Sequence, residues 1–126
     1  MEKRVIQTTK APGAIGPYSQ AICVENFLYT SGQIGMDPET GKVVEGGIVP
    51  ETEQVFKNLK AILDEAGFSF ENVVKVTAFL SDMGNFAKFN EIYEKHLGKV
   101  KPARSTVEVA KLPLGCNVEI ELVAIK

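Results

Sequence analysis

The sequence predicts an α+β domain in which one mixed sheet of six strands carries two helices on a single face. Three observations predict it. The hydrophobic periodicity gives the element order three strands, helix, strand, helix, two strands. Only two stretches have helical spacing, too few to cover both faces of a sheet. The last strand, Asn117 to Ile125, alternates an apolar row of Val118, Ile120, Leu122 and Ala124 with a mixed row of Glu119, Glu121, Val123 and Ile125. A chain of 126 residues is long enough for one core and too short for two, so residues 1–126 are expected to form a single domain.

The first strand is VIQTT, followed by a bend from Ala11 to Pro17 that Pro12-Gly13 and Gly16-Pro17 punctuate. Ser19 to Val24 and Phe27 to Ser31 are rich in β-branched and aromatic residues and flank Glu25-Asn26, the signature of a tight hairpin. Asp37-Pro38-Glu39-Thr40-Gly41 is a further turn. Pro50 stands where a first helical residue is favoured, Glu51 and Glu53 follow, and Val55, Leu59, Ile62, Leu63 and Ala66 recur at helical spacing until Gly67. Val73 to Leu80 is apolar in both alternating sets, as in a strand covered at least partly on each face. The second helix spans about Met83 to Leu97, with Phe86, Phe89, Tyr93 and Leu97 on one stripe and Asp82 or Asn85 as its cap. Two last strands, Ser105 to Val109 and Asn117 to Ile125, are joined by Leu112-Pro113-Leu114-Gly115 and are expected to form a hairpin.

Composition narrows the function. Lys+Arg total 14 against Asp+Glu 16, a net charge of −2, so there is no broad positive field for nucleic acid. The basic stretch Lys95 to Arg104 lacks the interleaved aromatics of a stacking platform and reads as a solvated face. No apolar run approaches the ~20 residues of a membrane span, and MEKRVIQTTK lacks the apolar centre of a secretory signal, so a cytoplasmic protein without membrane contact is expected. Cys23 and Cys116 have no metal-ligand spacing and read as reduced thiols, Cys23 in the core and Cys116 beside a loop glycine with no histidine adjacent in sequence. His96, the single histidine, reads as a surface residue favoured by a helix C-terminus. One histidine rules out a His-rich metal site, and no metal is expected.

The densest chemical grouping is Pro102 to Val109 followed by Val118-Glu119-Ile120-Glu121. In a hairpin whose register sets Val107 and Val109 beside Val118, Ile120 and Leu122, Arg104, Thr106 and Glu108 share the face of Glu119 and Glu121. The mixed character of that face predicts packing against identical subunits. An arginine fork there can hold a small carboxylic acid, and a glutamate in a partly apolar interface beside a second glutamate suits a base that orients water. A plain Arg104 to Glu121 ion pair is the structural alternative.

The motifs Ile15-Gly16-Pro17-Tyr18-Ser19-Gln20, Thr30-Ser31-Gly32-Gln33-Ile34, Pro102-Ala103-Arg104-Ser105, Val107 to Pro113 and Val118-Glu119-Ile120-Glu121 together resemble the Rid (YjgF, reactive intermediate deaminase) family, closest to its RidA branch. The resemblance covers essentially the whole chain. It implies a chorismate-mutase-like fold, a homotrimer with sheets packed at the centre, and cofactor-free hydrolysis of enamines and imines such as 2-aminoacrylate to a 2-keto acid and ammonia. By the same resemblance Arg104 binds the substrate carboxylate and Glu119 positions water. Tyr18, Ser31, Gly32 and Asn90 line an intersubunit cleft. Position 106, often cysteine in the branch, is Thr106 here, which leaves backbone contact with substrate available and removes a thiol role. Some relatives described as ribonucleases or translation inhibitors, and a keto-acid-binding or chaperone-like module, mark the rival readings.

Overall fold

A computed structural model describes residues 1–126. The chain runs β1 (Lys3–Ile6), β2 (Ala21–Val24), β3 (Phe27–Thr30), β4 (Gln33–Ile34), β5 (Met36–Asp37), β6 (Lys42–Val43), α1 (Ile48–Ala66), β7 (Val73–Leu80), α2 (Phe86–Leu97), β8 (Ala103–Glu108) and β9 (Val118–Ile125). The main sheet has the order β1-β2-β3-β9-β7-β8, with β4 also paired to β9, while β5 and β6 form a separate hairpin. The architecture is the expected α+β layer with a mixed sheet. Its strand count is seven rather than six, because two residues, Gln33 and Ile34, pair with Ile120 and Glu119. The first strand ends at Ile6 and does not continue through the threonines.

Patterning on β9 fixes the layers. Val118, Ile120, Leu122 and Ala124 are at most 2% exposed, and they pack with Val55, Leu59 and Leu63 of α1 and Phe89 and Leu97 of α2 in one core. Fully burying a large aliphatic side chain contributes about 1.5–3 kcal/mol, whereas an unpaired buried carboxylate costs several. A slip of one residue would exchange this row for Glu119 and Glu121, so the register is strongly specified. Helix α1 begins two residues before Pro50, which therefore sits inside its first turn where no intrahelical donor is needed. It ends at Gly67, whose left-handed backbone (φ 83°, ψ 24°) turns the chain while its N–H reaches the carbonyls of Leu63 and Asp64. Ahead of α2, the Asp82 carboxylate accepts from the Gly84 N–H at 2.8 Å across the short turn Met83–Asn85.

The last two strands depart from the expected hairpin. β8 pairs in parallel with β7, and β7 pairs antiparallel with β9, so β7 separates them. The reason is the crossover: β7, α2 and β8 form a β-α-β unit that returns the chain parallel to β7 at the sheet edge. The partners Val76 with Arg104 and Val76 with Leu122 set Arg104 on the helix-covered face, while Phe79 pairs with both Val107 and Glu119 on the bare face. Arg104 and Glu119 therefore lie on opposite faces of one sheet, and neither the shared face nor an Arg104 to Glu121 ion pair forms within a chain. Val107, expected in the core, is 43% exposed. The bare face also shows Val5 (60% exposed), Tyr29 (48%) and Phe27 (36%), an apolar strip along β1, β2 and β3.

Candidate functional site

The residues singled out from the sequence gather in two places. Tyr18, Ser31, Gly32 and Glu119 line one cleft of about 460 Å³, with Pro113 and Leu114 on its rim. Gln20 builds the floor. It is 3% exposed, its Nε2 donates to the Thr8, Ala11 and Pro12 carbonyls and its Oε1 accepts from the Thr8 N–H at 2.8 Å. This pins the bend that carries Tyr18, whose hydroxyl accepts from the Ile15 N–H at 3.4 Å. The Ser31 hydroxyl donates to the Ser19 carbonyl at 2.5 Å and ties the end of β3 to the same bend.

Glu119 enters the cleft beside Gly32. A Cβ at position 32 would fall on the Glu119 carboxyl, so the glycine is what admits this side chain. Burial raises the Glu119 carboxyl above the usual carboxylate range, and the negative charge of Glu121 raises it further. Such a carboxyl takes up a proton more readily than a free glutamate. Leu114 stands at the rim, 71% exposed, with its backbone in the left-handed region at φ 57°.

Arg104 and Asn90 form the second place. Arg104 Nη1 donates to Asn90 Oδ1 at 2.7 Å, and its guanidinium carbon lies 4.5 Å from the Tyr93 ring centre and 5.5 Å from that of Phe86. Asn90, a cleft-lining residue by the family resemblance, is the arginine's hydrogen-bond acceptor. The chain's ion pairs join Lys60 to Asp64 and Lys95 and His96 to Glu53, so Arg104 has no carboxylate partner. Thr106 shares its face two residues on, and the Thr106 hydroxyl is buried without a partner.

Of three other residues, His96 differs from its sequence reading, Cys116 agrees with it and Glu51 was missed by it. His96 is not a free surface residue: its Nε2 lies 2.8 Å from Glu53 Oε1 and its ring stacks on Phe56 with centroids 4.5 Å apart. Burial pushes the Cys116 thiol up to about 11, with Glu51 and Glu119 adding to the rise over the opposing hydrogen bond to Val118, so it is a packing residue rather than a reactive thiol. Glu51, 3% exposed, accepts from both the Asn117 N–H at 2.7 Å and the Asn117 side-chain amide, which anchors the start of β9 to α1. An acid in a first helical turn reads from sequence as a dipole partner, and only the fold shows what it holds. Cys23 is buried in the core, as expected. No three His, Cys, Asp or Glu side chains come together as a metal site, and no helix is long and apolar enough to cross a membrane.

Comparison with known proteins agrees with this fold along its whole length. Residues 8–126 match the family model described as endoribonuclease L-PSP. A RutC family protein of Pyrococcus abyssi is 54% identical over 126 residues, covering 100% of this chain and 99% of the relative. The human 2-iminobutanoate/2-iminopropanoate deaminase is 52% identical over 124 residues, covering 98% of this chain and 90% of the relative. Among solved structures, RidA from an Antarctic Psychrobacter superposes with a TM-score of 0.94 at 48% identity, covering 98% of this chain and 99% of that one. Escherichia coli TdcF with bound serine superposes with a TM-score of 0.92 at 37% identity, covering 98% of each chain. With the family model spanning nearly every residue and relatives above half identity end to end, the chain belongs to the Rid (YjgF) family and has its chorismate-mutase-like fold.

Proposed function

We propose that the protein hydrolyses short-lived enamines and imines of small amino acids, such as 2-aminoacrylate and 2-iminopropanoate, to a 2-keto acid and ammonia, at sites shared between copies of the chain. The observation that carries this reading is Arg104, a half-buried guanidinium held by an amide and two aromatic rings and left without a carboxylate. A cation so placed is complementary to a small anionic ligand. The deaminase names of the mammalian relatives and the serine bound to TdcF supply the ligand class: a short 2-substituted carboxylic acid.

The chemistry asks little of the protein. Arg104 takes the carboxylate and fixes the position of the imine carbon. Glu119 orients a water and takes one of its protons as the oxygen bonds to that carbon, then passes it to nitrogen to give a carbinolamine; the carbinolamine hydroxyl's proton next moves by way of Glu119 to nitrogen as the carbon–nitrogen bond breaks, releasing ammonia and leaving the ketone. Proton transfer by a placed group contributes about 10²–10⁴-fold, and orientation adds to it. Tyr18, Ser31 and Gly32 shape the water side, while Asn90 and the backbone at Thr106 serve the carboxylate side.

Since Arg104 and Glu119 occupy opposite faces of one sheet, one small acid meets both only if the β8 edge of one copy reaches the Glu119 cleft of another. An edge-to-cleft contact is heterologous, and a heterologous contact gives a ring when its rotation closes. The homotrimer that the family resemblance implies is such a ring, and the apolar strip on the bare face gives it a surface to bury. The endoribonuclease reading draws less support from this chain: the net charge is −2, which provides no broad positive field for a phosphate backbone. Cytoplasmic residence suits two buried, unpaired thiols.

The test is 2-keto acid release from imine generated in situ, with a serine-derived and a bulkier amino-acid-derived substrate, on the wild type and Arg104→Ala. Two charge-assisted hydrogen bonds at about 1.5–3 kcal/mol each predict a loss of at least ~10² in kcat/KM with the assembly intact. A variant as fast as the wild type would remove the carboxylate clamp. A wild type that binds the 2-keto acid without accelerating imine loss would be a sensor rather than an enzyme.

A further inference from the structure

We propose that Tyr93 is a positioning residue whose ring, with that of Phe86, forms a platform holding the Arg104 guanidinium in the orientation that receives a carboxylate. The inference rests on the imine-hydrolase reading and deepens it. Phe86, Asn90 and Tyr93 stand at i, i+4 and i+7 of α2, one stripe of the helix. The stripe therefore presents an aromatic ring, an amide and a second ring to a single guanidinium, at 5.5, 2.7 and 4.5 Å.

The chemistry of the cradle is selective in what it leaves open. A carboxylate in place of either ring would neutralise Arg104 and occupy its donor edges. A ring face attracts the cation without taking any N–H, so every donor beyond the one given to Asn90 stays available to a ligand.

The tyrosine hydroxyl does not account for the residue. Tyr93 is 7% exposed and its hydroxyl has no hydrogen-bond partner. Burial pushes the phenol up against the opposing pull of Arg104, so the side chain is neutral at working pH and is no counter-ion. A buried hydroxyl without a partner is a cost to stability, and one reason to retain a side chain here is the π face beneath the arginine.

The experiment compares steady-state kinetics of Tyr93→Leu and Tyr93→Phe with in situ 2-iminopropanoate. Tyr93→Leu is expected to raise KM about tenfold with kcat within about twofold of the wild type, and Tyr93→Phe to restore the wild-type KM. A series of phenylalanines bearing one to four ring fluorines, incorporated at position 93, keeps the shape while weakening the ring face. KM should climb with each fluorine. If Leu and Phe variants share the wild-type KM, or KM is flat across the fluorine series, the platform is wrong even though the enzyme works. If the wild type itself gives no acceleration, the underlying functional reading fails instead, so the two failures are told apart.

Discussion

Arg104 stands on a strand and is gripped by a helix, whereas Glu119 stands on a strand and faces loops. The arginine's surroundings come from successive turns of α2, an element locked into the core by Phe89 and Leu97, both fully buried. The glutamate's surroundings come from the bend at residues 12–18, the Ser31-Gly32 corner and the Pro113–Gly115 turn, each tied down by a few hydrogen bonds. On the proposed reading, the charge that receives a carboxylate in fixed geometry is held by regular structure, and the group that meets water and varied side chains is held where backbone can adjust. Under the proposed function, the two faces of the sheet divide recognition from chemistry.

If the division is real, variants on the loop side should lower turnover while leaving carboxylate recognition alone. Glu119→Gln keeps the volume and removes the base, and kcat should fall by ~10²-fold or more with little change in binding of a 2-keto acid. The wild-type acid limb of kcat/KM should lie above the ordinary carboxylate range, because the base must be ionised and burial with Glu121 raises its proton affinity. That limb should vanish in Glu119→Gln; a pH profile unchanged by the substitution would assign the titration elsewhere.

Gly32→Ala tests the same side more gently. The backbone of Gly32 is not in the left-handed region, so the added methyl acts only by displacing the Glu119 carboxyl. A shift of this kind should lower kcat roughly tenfold, less than removing the carboxylate, since small misplacements cost up to about 10²-fold. Full activity would mean that the carboxyl moves freely and that its observed position is not the working one.

Much of this was legible in the sequence, for identifiable reasons. The alternation of Val118, Ile120, Leu122 and Ala124 against two glutamates admits only one buried face, and the Pro50 to Gly67 stretch carries its own start and stop signals. The face of Arg104 was not legible. At a sheet edge, alternation ceases to report burial, because a helix can cover a cation with aromatic rings as readily as it covers a valine. The alternation therefore points Val107 to the core and Arg104 outward, the reverse of what the β7 pairing imposes. Tyr93 belongs to the apolar stripe of the second helix and is buried, but periodicity has no means of showing that its ring also supports a charge. Gln33 and Ile34 form a strand too short for any period.

The smallest expected effect bears on stability and sets the two charged groups apart most sharply. A carboxyl whose proton affinity is raised by folding binds more protons in the native state than in the unfolded chain, so stability declines as pH rises through the window between its unfolded and folded values. Glu119 therefore weighs against the fold at neutral pH, and Glu119→Gln should raise Tm at pH 7 by roughly 2 °C, with the gain fading below about pH 4, where the wild-type carboxyl is protonated in both states. The increment is modest because the side chain is only partly buried and water screens it. Glu53 should behave oppositely: burial raises its carboxyl, but the hydrogen bonds and charges of Lys95 and His96 outweigh that and hold it low, so its contribution is present at neutral pH and lost on acidification. Thermal melts of the wild type and Glu119→Gln across pH 3–8 would show the two curves apart at neutral pH and converging at acid pH. Parallel curves would mean that Glu119 is as well solvated as a surface residue, and the cleft could not then be raising its proton affinity for catalysis.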